Sequence, residues 1–203
     1  MNDDETMTVP EKGPGQEEPN DEKEPSFKLD LYFWMQALAV ALVLLILTFT
    51  LAGRVIKVVG SSMVPTLHEN DLMLLQSIGY TPKQGDIVVL RKASFMAEPV
   101  VKRVIATGGQ HVSIDYTANT VTVDGVVLDE PYILEYMTDP YLRNHNMSIS
   151  DIDVPEGSIF VMGDNRNNSS DSRDENLGTV DTRYVLGRVL CVLLPFQHFS
   201  IIK

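Results

Sequence analysis

The chain has 203 residues, 44% of them hydrophobic, and 16 Lys and Arg against 28 Asp and Glu give a formal net charge of −12. That length suits one domain of roughly 100–200 residues plus an appendage. So acidic a balance argues against a nucleic-acid partner, and the single cysteine, Cys191, excludes an intramolecular disulfide or a Cys-rich zinc site.

The averages hide a division. Residues 1–30 hold ten acids and three lysines, so −7 of the −12 lies there. With Pro10, Pro14, Pro19 and Pro25 and few large apolar side chains, this segment cannot offset its chain entropy by burial, which predicts a disordered acidic tail. Leu31 to Ala52 then runs for 22 residues without a formal charge. A helix of that length spans about 33 Å, matching a hydrocarbon core of about 30 Å. Tyr32, Phe33 and Trp34 cluster at one end, where interfacial aromatics belong. A cleaved secretory signal fits less well, because its apolar run is usually about 7–15 residues and its leading flank basic. We expect a retained membrane anchor over residues 31–53. Its charged flanks, Lys28 on one side against Arg54 and Lys57 on the other, weakly favour a cytoplasmic C-terminal domain.

Residues 54–203 read as mostly strands. Asp71–Gln76, Asp86–Leu90, Val100–Ala106, Ser158–Met162 and Val185–Leu194 are short, apolar or β-branched, and bounded by turn residues. Thr120–Val123 and Val126–Leu128 flank Asp124-Gly125, a strong two-residue hairpin signal. Gly108-Gly109 fits a turn between strands better than a phosphate loop. The expected fold is mainly β, an antiparallel sheet domain behind one N-terminal transmembrane helix, with Cys191 as a small core residue.

The four histidines, His68, His111, His145 and His198, are scattered without metal-ligand spacing, and His68 reads as a loop residue rather than a triad member. Neither a metal nor a cofactor is therefore expected. Three other segments stand out. Val59–Leu67 (VGSSMVPTL) follows the anchor and alone reads as a Ser-rich turn closed by proline. Val100–Ala106 (VVKRVIA) puts Lys102 on an apolar strand face with Val100 and Val104, and Arg103 on the opposite face. A buried lysine loses its proton more readily, and a neutral amine can accept the proton of a serine hydroxyl. Gly163–Arg173 (GDNRNNSSDSR) is a polar loop after an apolar strand, in which Asp171 and Arg173 can pair with each other or with Arg103.

Together with Gly85–Val89, these three segments resemble, in order and spacing, the bacterial type I signal peptidases, from the anchor to about residue 190. The resemblance implies Ser62 as nucleophile and Lys102 as its general base, and places Ser169 where a hydroxyl orients the lysine. Asp171, Ser172 and Arg173 match positions that brace the site, and the Ser62 backbone N–H would face the oxyanion. A substrate strand would lie beside Val58, Val59 and Gly60 and beside Pro99, Val100 and Val101, with Met63 and Pro65 near its pockets. Gly60 stands where some members carry a serine donor, and Asn167 replaces a common aspartate. The single anchor resembles the Gram-positive type. The implied activity is removal of signal peptides after small, Ala-x-Ala-like residues of exported preproteins; the implied partners are those preproteins, the lipid bilayer and the secretion translocon.

The resemblance also implies a bacterial cell-membrane protein with a cytoplasmic N-terminus and an extracytoplasmic catalytic domain. That runs against the flanking charges, and two basic residues shift orientation only modestly. Alternatives are a serine–lysine peptidase dedicated to one pilus or conjugation substrate, and an inactive tethered β-domain that binds extended peptides.

Overall fold

The computed structural model describes residues 27–138 and 147–202. The expected acidic tail lies almost wholly outside the described residues, as does His145. The first element, α1, is a helix over Phe27–Ala52. It begins four residues earlier than the uncharged run, taking in Lys28 and Asp30. Its stretch Phe27–Leu47 has a mean hydropathy of 2.0 and is not buried against protein. Such a length and composition fit a transmembrane anchor.

Twelve strands follow: β1 (Arg54–Lys57), β2 (Leu72–Gln76), β3 (Ile87–Leu90), β4 (Val100–Thr107), β5 (His111–Asp115), β6 (Thr120–Val123), β7 (Val126–Val127), β8 (Asp151–Asp153), β9 (Ser158–Met162), β10 (Val180–Asp181), β11 (Val185–Leu194) and β12 (Ser200–Ile201). All pairings are antiparallel. The larger sheet has the order β1-β2-β11-β3-β4-β9-β10, with β12 beside β11, and the smaller runs β7-β6-β5-β8. The mainly β expectation therefore holds.

Side-chain patterning explains which strands lie where. In β2, Met73 and Leu75 are buried and their neighbours only partly so; β6 buries Val121 and Val123 and leaves its threonines half-covered. Such alternation belongs to sheets covered on one face. By contrast, β3 and β9 lie on either side of β4, and six consecutive β4 residues, Val101 to Ala106, are buried. A strand covered on both faces has no solvent side for a charge, so Lys102 and Arg103 must both find partners inside.

Local turns follow the sequence. Asp124 and Gly125 have φ of 51° and 79°, the two positive values a type I′ hairpin needs. The Asp124 carboxylate also accepts hydrogen bonds from His111 N–H at 2.8 Å and the Gln110 side chain at 3.0 Å, tying the hairpin to the start of β5. Cys191 is free and only half-buried, not the core residue expected.

Candidate active site

Ser62 lies in the turn between β1 and β2, and Lys102 on β4, 40 positions away. The Lys102 Nζ and Ser62 Oγ stand 2.7 Å apart, within hydrogen-bond distance. Lys102 is 3% exposed. Burial pulls its pKa down from 10.5 to about 8, with the nearby Asp171 and Asp164 opposing and Arg173 assisting. Among the described residues no histidine bonds the Ser62 hydroxyl. His68 instead stacks against His198, with ring centroids 4.7 Å apart.

The loop after β9 holds the serine turn from the other side. Asn165 donates its backbone N–H to Ser62 O at 3.0 Å and its side-chain amide to Ser61 O at 3.2 Å. The Asn168 amide donates to Ser61 Oγ at 2.9 Å. Gly163 makes this approach possible. A Cβ there would strike Ser169 Oγ and come within 2.5 Å of Ser62 O. Ser169 is thus beside the serine turn, but its buried Oγ has no hydrogen-bond partner, so the contact to Lys102 implied by the resemblance is not made here.

Asp171 and Arg173 pair with each other, not with Arg103. Asp171 accepts from Arg173 Nε at 2.8 Å, from Arg173 Nη2 at 2.9 Å and from Gly163 N–H at 3.0 Å. Burial raises the Asp171 pKa, but the Arg173 charge and these donors outweigh it, so the group is held below the ordinary carboxylate value. Ser172 Oγ accepts the Val161 N–H at 2.9 Å, fastening the loop to β9.

Arg103 has a partner that sequence reasoning did not assign. Its guanidinium makes a two-pronged pair with Asp164 at 2.8 and 2.7 Å, lies 3.8 Å from the Tyr132 ring centroid, and donates to Gly85 O at 3.0 Å. Asp164 also accepts from Thr66 Oγ1 at 2.5 Å. Neighbouring residues of β4 therefore grip the two ends of one turn, Lys102 at Ser62 and Arg103, through Asp164, at Thr66. Arg166, also unassigned, pairs with Glu130 at 2.5 and 2.9 Å and donates to Gly163 O. A buried arginine needs such a carboxylate, and no local pattern in the sequence names Glu130 as its partner. Asn167 anchors a different segment: it accepts from Thr138 and donates to Glu135 and to Tyr136 O.

Of the two edges expected to flank a substrate, the β4 edge is open and the Val58 end of the other is already paired. On β4, pairing with β9 begins at Arg103, so Val100, Val101 and Lys102 have a sheet neighbour on the β3 side alone. Val58 is held by backbone bonds to Asp71 and Asn70, Val59 is 79% exposed, and Gly60 has φ of 86°. Met63 is buried in the core beside Leu67, while Pro65 is exposed.

Comparison with known proteins gives the family. The family model "Signal peptidase, peptidase S26" matches residues 31–194. A signal peptidase I of Bacillus licheniformis is 33% identical over 183 residues, covering 88% of this chain and 96% of its own length. Signal peptidase IB of Staphylococcus aureus is 30% identical, covering 85% and 94%. A signal peptidase I of known structure from Enterococcus faecalis is 29% identical, with coverage of 56% and 97% and a TM-score of 0.39. The chain thus belongs to the signal peptidase family, peptidase S26, and is a serine endopeptidase.

Proposed function

We propose that this chain is a membrane-anchored endopeptidase that removes signal peptides from exported preproteins through a Ser62–Lys102 dyad. The observation that carries the reading is the 2.7 Å contact between Ser62 Oγ and a lysine whose pKa is pulled down to about 8. At neutral pH a useful fraction of that amine is uncharged and can accept a proton.

The Ser62 oxygen attacks the scissile carbonyl carbon while its proton passes to Lys102 Nζ. The tetrahedral intermediate collapses as Lys102 returns the proton to the departing amine, leaving an acyl-enzyme on Ser62. Water, deprotonated by the same amine, then hydrolyses the ester. The Ser62 N–H donates to the oxyanion, and such a donor is worth on the order of 3 kcal/mol in acyl transfer.

The substrate lies extended against the open edge of Val100 and Val101 and beside Val59 and Gly60, with Pro65 close to its side chains and Val58 and Met63 in the core behind that turn. Small residues before the scissile bond suit so close a backbone approach. Ser169, Asp171, Ser172 and Arg173 hold the loop that positions the serine turn. α1 crosses the cell membrane once, with the N-terminus cytoplasmic and residues 54–203 outside, beside the lipid and the translocon that delivers preproteins. Residues 1–30 form an acidic leader to the anchor at 31–53. Ser62 lies ten residues beyond Ala52, so it can stand no more than about 36 Å of extended chain from the bilayer.

The test is cleavage of an Ala-x-Ala preprotein by detergent-solubilised wild type, Ser62→Ala and Lys102→Met. Processing by the wild type and loss in both variants is expected. Cutting by Lys102→Met at neutral pH would overturn the dyad. An inert wild type that still binds the peptide would favour a peptide-binding domain.

A further inference from the structure

Away from the dyad, the fold gathers three metal-binding side chains that the sequence keeps apart. His68 and Asp71 are three positions apart in the turn before β2, whereas His198 lies 127 positions beyond Asp71, in a one-turn 3-10 helix between β11 and β12. One ligand atom from each lies within 4.8 Å of the others. We propose that His68, Asp71 and His198 form a binding site for a late first-row divalent cation, with zinc as its best match.

Three features favour a cation there. Asp71 is 1% exposed, and its carboxylate is held at both oxygens, Oδ2 by His68 N–H at 2.8 Å and Oδ1 against His198 Nδ1 at 2.8 Å. A cation seated between Asp71 Oδ1 and His198 Nδ1 would take the place of the proton they share, with carboxylate and imidazole both as direct ligands. The second imidazole is already beside the first, its ring tilted 38° and its centroid 4.7 Å away. The rings are also reachable: His68 is exposed and the His198 side chain is 40% exposed, so an ion can enter from solvent.

Zinc asks for His nitrogens and carboxylate oxygens at about 2.0–2.2 Å in a tetrahedron, which sets its ligand atoms about 3.3 Å apart. The exposed His68 ring would rotate to close the present spacing, and water would complete the shell. A different cluster, His111 with Asp151 and Asp153, shows the contrast. It offers one imidazole between two exposed carboxylates, a surface ion-pair set.

The site's place in the fold gives it a purpose. Asp71 O accepts the Val58 N–H, and Leu67 N–H donates to Met63 O, so the ligand turn is bonded to both flanks of the Ser62 turn. A cation shared with His198 would pin the C-terminal segment to that turn. No ligand belongs to the Ser62–Lys102 pair, so the role is structural.

The test is zinc titration of the full chain in detergent against a chromogenic chelator, with His68→Gln, His198→Gln and His111→Gln beside the wild type. One zinc per chain is expected at micromolar affinity or tighter. Each of His68→Gln and His198→Gln should weaken it at least tenfold, and His111→Gln should leave it unchanged. Zinc should also raise the unfolding temperature of the wild type and of His111→Gln but not of the other two. Retained preprotein cleavage by the variants after chelation shows that they are folded. No stoichiometric binding by the wild type, or equal affinity in both site variants, would overturn the site.

Discussion

Lys102, the general base in the mechanism proposed above, is also a cost to the fold. Its folded-state value of about 8 lies below its ordinary 10.5. The pH profile of kcat/KM should therefore climb about tenfold per unit on the acid side and level off above about pH 8; a flat profile between pH 6 and 9 would contradict a lysine base. The unfolded chain binds the extra proton between about 8 and 10.5, so this residue's penalty is full below pH 8 and fades as pH rises to 10.5. Lys102→Met should accordingly be inactive yet more stable at pH 7, by no more than about 3 kcal/mol on a shift of this size. Thermal unfolding of the two proteins decides it. Asp164 is the opposite case. Asp164→Asn leaves the buried Arg103 without its countercharge, and losing one partner of such a pair costs about 3–5 kcal/mol. Urea unfolding should show that loss, together with falling activity as Thr66 is released.

The loop Gly163–Arg173 and strand β4 are the elements that assemble the site, and they differ in how far sequence revealed them. β4 was readable as an apolar run, and so were β2, β3, β6, β9 and β11, each with a strong β-branched or alternating pattern. The edge strands β1, β8, β10 and β12 were not. With four residues or fewer, they are made by a neighbour's pairing rather than by their own pattern. Lys102 stood out because a lysine on an apolar strand face is costly without a use, and its pairing with Ser62 was read from the family resemblance. Arg103–Asp164 and Arg166–Glu130 were not legible, because a residue pairs across 61 or 36 positions only once the strands are laid side by side. The same holds for His68 and His198. Within the loop, Gly163 is the sensitive position: a methyl group there meets Ser169 Oγ and Ser62 O. Gly163→Ala should push the serine turn away from Lys102 and cut kcat at least tenfold with the chain still folded, measurable by cleavage alongside circular dichroism.

For the whole molecule, the charge separates into an acidic leader with −7 of the −12, an uncharged run over residues 31–52 and a domain with the remaining −5. Full-length chain should remain with membranes after alkaline carbonate extraction, and deletion of residues 27–52 should release it. Release of the intact chain would argue against α1 as a span. The grip of β4 on both ends of the Ser62 turn has a consequence for biogenesis. Lys102 and Arg103 are adjacent, so sliding β4 by one residue would present the wrong side chain to each contact. Ser62 and Lys102 meet only after β3, β4 and β9 have found their register. On the mechanism proposed above, a chain still folding is therefore unarmed, and competence to cut arrives together with the finished sheet.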